Sequence, residues 1–145
     1  MIDKLKNDLI SAMKSKDELR LSTIRLLKGA IELEEKKLLR SLEDSEVLDI
    51  VSRQIKLRKE SILEYEKVNR LEEVSKLEEE IKILMDYLPE QMNTDELTKI
   101  IEESIKEVNA VSSRDFGNVM RVLVPKIKGK ADTKEASEIL KSKLQ

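Results

Sequence analysis

The chain contains no histidine, no cysteine and no tryptophan. Those absences remove the commonest general base, the commonest zinc ligands and the thiolate nucleophile. Disulfides are excluded too, which suits a cytoplasmic protein. Aromatics amount to 2% of the residues, too few for binding single-stranded nucleic acid by base stacking. Three glycines and two prolines leave few places where a helix must break. No apolar run approaches the roughly 18 residues of a membrane span, so no membrane partner is expected. The N-terminal stretch MIDKLKNDLISAMKSKDELR mixes acids into a helical pattern and lacks the apolar region of a secretory signal. A cytoplasmic location is therefore the expectation.

What is present is charge on a helical frame. Charged residues make up 40% of the 145, and 28 Lys and Arg nearly balance 30 Asp and Glu. Glu, Lys, Leu and Ile dominate, all good helix formers or core fillers. Apolar residues recur at helical spacing almost throughout. Ile2, Leu5, Leu9 and Met13 mark a first helix. Leu21, Ile24, Leu27, Ile31 and Leu38 mark a second, with Asp17 as its N-cap. Ser41 and Asp44 offer a capping-box-like start for a third, striped by Val47, Leu48, Val51, Ile55, Ile62 and Tyr65. Asn69 suits the position after its end. Leu71, Val74, Leu77, Ile81, Leu84 and Leu88 form a fourth stripe, stopped by Pro89.

The segment Pro89–Asn93 reads as a boundary between an N-terminal domain of about four helices (1–89) and a C-terminal three-helix bundle (94–145). Three starts follow it, each a polar cap with an acid three residues on: Asn93/Glu96, Ser112/Asp115 and Asp132/Glu135. The fold class is all-α. Charge is uneven along this frame. Glu60 to Glu107 holds 15 acids against 6 bases, whereas Arg114 to Lys130 holds 5 bases and 1 acid. Local fields of opposite sign steer partners despite a near-neutral total.

The stretch VPKIKGKADTKE, from Val124 to Glu135, concentrates the basic character. Pro125 is expected to end the helix before it, and Gly129 permits a positive φ. Lys126, Lys128 and Lys130 then supply charge for a phosphate, beside the next helix N-terminus. The other reading is a solvated connection whose lysines only keep it soluble, with Asp132 already capping that N-terminus. Lys56, Arg58 and Lys59 form a second cluster in the third helix, either a patch or surface pairs such as Lys56–Glu60. Glu78, Glu79 and Glu80 point about 100° apart on a helix and read as a solvated face. The methionines read as core, and the serines have no base to activate them. Tyr65 and Tyr87 read as packing residues with hydroxyls reaching solvent. No catalytic residue, metal site or cofactor is expected.

Pieces spread along the chain carry a resemblance. They are Ala12-Met13-Lys14 with Lys16-Asp17, Arg20-Leu21-Ser22-Thr23-Ile24-Arg25, Lys56-Leu57-Arg58-Lys59-Glu60-Ser61 with Tyr65, and Tyr87-Leu88-Pro89-Glu90-Gln91. Gly117-Asn118-Val119-Met120 follows, running into Pro125-Lys126-Ile127-Lys128-Gly129-Lys130-Ala131-Asp132. In order and spacing they resemble the YqeY family, also called the GatB/YqeY type. Thr133 departs from it, standing where the family usually has glycine. The resemblance implies an all-helical two-part protein whose C-terminal part is similar to the tail domain of the tRNA-dependent amidotransferase B subunit, which helps hold tRNA. It also brings the family's assignment as a carbon–nitrogen ligase with glutamine as amido-N-donor. The chain has neither amidase nor kinase domain and no phosphate-binding glycine loop, so it reads as non-enzymatic. The expected role is accessory binding of tRNA or structured RNA through Arg121, Lys126, Lys128 and Lys130, with Lys56, Arg58 and Lys59 as a second patch. The alternative is a protein-interaction module for amidotransferase or translation proteins, using the acidic stretch.

Overall fold

A computed structural model describes residues 1–145. It is built from helices: α1 (Ile2–Ser15), α2 (Glu18–Leu38), α3 (Asp44–Lys67), α4 (Leu71–Met85), α5 (Thr94–Glu107), α6 (Phe116–Ile127) and α7 (Thr133–Leu144), with a 3₁₀ turn at Ser113–Asp115. The all-α expectation holds. No helix is long and apolar enough to cross a membrane. The chain divides into two compact units, Met1–Leu88 and Pro89–Gln145, each described by itself.

In the first unit Asp17 caps α2 as its sequence predicts, its Oδ1 accepting the Arg20 N–H at 3.1 Å. The start of α3 differs from the Ser41/Asp44 expectation. Glu43 is the N-cap, and the Glu46 carboxylate accepts its N–H at 3.0 Å while also forking with Arg40. The reason is packing. Leu42, one residue before the cap, is buried with Val47, a staple that sets where the helix begins. At the far end Asn69 has φ 58°; its N–H bonds to the Glu66 carbonyl and that of Arg70 to Tyr65. This Schellman closure satisfies carbonyls the helix leaves open. The core gathers Leu5, Ile24, Leu27, Ile31, Val47, Val51, Ile55 and Leu84. Helix α4 stops at Met85, and Tyr87 and Leu88 follow in tight turns. The Tyr87 ring is buried; its hydroxyl donates to Asp8 Oδ2 at 2.6 Å, tying the end of this unit to α1 instead of reaching solvent.

The second unit buries Leu97, Ile101, Val119, Leu123, Ile127, Ala136, Leu140 and Leu144 together. Asn93 caps α5 by accepting the Glu96 N–H, and Asp132 caps α7 by accepting that of Lys134. Ser112 caps the 3₁₀ turn, not α6 directly, and Asp115 accepts the N–H groups of Val111 and Ser112. Pro125 does not end α6 as expected. The helix runs two residues further, to Ile127. Ile127 completes the stripe Val119, Leu123, Ile127, each fully buried, and burying such a side chain is worth about 1.5–3 kcal/mol. That offsets the hydrogen bond which proline cannot donate in the last turn.

Candidate nucleic-acid interface

Because Val119, Leu123 and Ile127 bind one side of α6 into the core, the opposite side faces solvent with Gly117, Asn118, Arg121 and Pro125 exposed. The helix contains no acid. Arg114 is exposed just ahead of it. The one acid of this stretch, Asp115, is engaged with the Val111 and Ser112 backbone. The outward face of α6 thus carries Arg121 with no acid of its own helix beside it.

The turn after α6 is fixed by its own backbone. Gly129 has φ 73°, the left-handed region that glycine enters without strain. The N–H groups of Lys130 and Ala131 both bond to the Ile127 carbonyl, at 2.8 and 3.1 Å. The Gly129 carbonyl accepts from Gln91 Nε2 at 2.7 Å, and the Lys130 carbonyl from the Met92 N–H at 2.8 Å. Two of the turn's amides, those of Lys130 and Ala131, are thus committed within the turn. Asp132 likewise occupies the N-terminus of α7.

The lysines are not equivalent. Lys130 is exposed. Lys128, the C-cap of α6, is half-buried. Lys126 stands seven residues after Val119, on the core side of the helix, and its Nζ donates to Glu107 Oε2 at 2.6 Å and approaches Ser104 Oγ at 3.5 Å. It ties α6 to α5. Arg121 and Lys130 remain as exposed cations, and Arg114, also exposed and not assigned by the sequence pattern alone, joins them. Its signal was the seven-residue spacing to Arg121.

In the first unit Lys56 and Lys59 are exposed on α3. Arg58 is a correction. It is 8% exposed, donates to the carbonyl and side chain of Gln54, and lies 3.7 Å from Glu80. Positions 47, 51, 55, 58 and 62 share the inward stripe of α3, so Arg58 turns toward α4. Glu80 leaves the acid face for the same reason, while Glu78 and Glu79 stay exposed.

A family profile described as Yqey-like protein matches residues 2–144. The mitochondrial protein "Altered inheritance of mitochondria protein 41" of Pyrenophora tritici-repentis is 30% identical over the whole chain and 79% of its own length. Its namesake in Lachancea thermotolerans is 41% identical over 58% of this chain and 46% of its own length. An uncharacterised protein of Schizosaccharomyces pombe is 31% identical over 59% of this chain and 70% of its own. These names overturn the cytoplasmic expectation, since the two named relatives are mitochondrial proteins. The absences behind that expectation, of cysteine and of a secretory signal, do not distinguish cytoplasm from other reducing compartments. By a match that spans all but its two terminal residues, the chain belongs to the YqeY family.

Proposed function

We propose that this protein is a non-catalytic accessory factor that binds tRNA or a similarly folded RNA through the outward face of α6 and the turn after it. The observation that carries this reading is the acid-free surface of α6, with Arg121 exposed at mid-helix and Lys130 exposed in the turn that follows. Such side chains contact backbone phosphates, which position an RNA without reading its sequence. The near absence of exposed rings turns the preference toward folded RNA, whose shape and phosphates are recognised together. Lys56 and Lys59 on α3 are auxiliary contacts in this reading. The relation to amidotransferase tail domains belongs to the same proposal, as binding without transfer chemistry. For the relatives the named compartment is the mitochondrion, and the same role fits there.

The test is tRNA binding at one fixed moderate salt concentration. Arg121→Ala with Lys130→Ala is expected to weaken binding about tenfold or more, because two phosphates are no longer neutralised. Lys126→Ala, which removes a contact to Glu107, is expected to change binding far less. A double variant that binds like the parent overturns the proposal. A second reading rests on the exposed acids Glu72, Glu78 and Glu79 of α4, which suit a basic protein partner. Capture of partners with and without ribonuclease separates the two: partners that survive nuclease favour the protein-interaction reading.

A further inference from the structure

Ile24, Leu27 and Ile31 turn one side of α2 into the core of the first unit. The opposite side presents Ser22, Leu26, Gly29 and Leu33, spaced by three and four residues and therefore aligned. Leu26 and Leu33 are 58% and 57% exposed. Gly29 stands between them in mid-helix, where glycine weakens the helix relative to alanine. A Cβ built there meets nothing within 4 Å. Nothing within the chain requires glycine at this position, but a second helix crossing there gains close approach.

We propose that the occupant is a second copy of this chain, its α2 packed antiparallel on the first and crossing at Gly29. The charges argue for self-association. Arg25 and Glu32 are both exposed and lie seven residues apart, on one flank of the stripe. In an antiparallel pair with its twofold axis at Gly29, residues whose numbers sum to 58 lie level, so Leu26 stands within one residue (about 1.5 Å along the axis) of Leu33 of the second copy and Arg25 within one residue of its Glu32. Leu26 then packs on Leu33 and Arg25 meets Glu32, each contact made twice by symmetry. Glu32 lies 3.8 Å from Lys28 of its own helix, an exposed pair that competes weakly. One helix pair is a small interface, so the dimer is weak and concentration-dependent.

Sedimentation velocity of the full chain over a concentration series tests this. The expected result is a monomer–dimer equilibrium. Arg25→Glu, which opposes like charges twice, is expected to raise the dimer Kd about tenfold or more, and adding Glu32→Arg restores it. Gly29→Leu is expected to raise it at least as much while circular dichroism stays helical, because the added side chain has open space in the monomer. A chain that stays monomeric throughout overturns the proposal, even if the face captures an unrelated protein. So does a dimer whose Kd ignores Arg25→Glu, or one that the compensating change fails to restore.

Discussion

Arg58 and Glu80 show how much one position on a helix decides. Both side chains are nearly enclosed, and Arg58 Nε lacks a hydrogen-bond acceptor. Removing one partner strands the other charge. Glu80→Ala is therefore expected to destabilise the protein by about 2–4 kcal/mol in urea unfolding, whereas the paired change Arg58→Met with Glu80→Leu recovers most of that loss. Tyr87 gives the second residue-scale prediction. Burial first, and then the hydrogen bond to Asp8 and its charge, push the phenol above its ordinary range. Its folded pKa is thus raised, so its contribution is complete below the unfolded pKa of about 10 and fades as pH rises through the folded value. Unfolding midpoints followed upward from about pH 8 should fall once the pH passes about 10. In Tyr87→Phe the stability should be lower at the start by about 1–2 kcal/mol, with a correspondingly lower midpoint, because Asp8 loses its donor, and the fall should be shallower. A slope identical in both proteins contradicts this.

At the scale of elements, helix ends set the details. Leu39 caps α2 at φ 56° with 89% of its surface exposed. A branched side chain pays for that left-handed conformation and recovers nothing by packing. Leu39→Gly is expected to stabilise the protein by about 0.5–1 kcal/mol, since part of the relief is returned as unfolded-chain entropy. An unchanged or lower melting temperature contradicts it. Helix type and most caps were legible because periodicity and short-range cap chemistry are local: Asp17, Asn69, Asn93 and Asp132 all act as their neighbours predict. The misses came where a distant contact outweighed a local signal. Leu42 joined the core and moved the start of α3, and Ile127 carried α6 past Pro125. That extension also decided the site. With Lys126 inside the helix, an alternating row of lysines became one structural tie to Glu107 and an exposed Lys130. Arg58 was legible in principle, as the missing member of the inward stripe on α3, but a basic cluster read linearly hides that register.

For the molecule as a whole, near-neutral charge conceals segregation: Glu60 to Glu107 holds 15 acids against 6 bases, whereas Arg114 to Lys130 holds 5 bases and 1 acid. With no histidine or cysteine and few rings, this field is the chief means the chain has of gripping a polyanion. In the second unit the Lys130 and Ala131 amides bond to the Ile127 carbonyl and Asp132 caps α7, so the proposed grip is assigned to side chains. The central claim is that Arg121 and Lys130 make phosphate contacts. The most direct measurement is the slope of log affinity for tRNA against log salt concentration, for the parent and for Arg121→Ala with Lys130→Ala. Affinity is expected to fall with salt, and the variant's slope to be shallower by about 0.7–0.9 for each phosphate it no longer neutralises. An affinity independent of salt, or equal slopes in the two proteins, would contradict the claim.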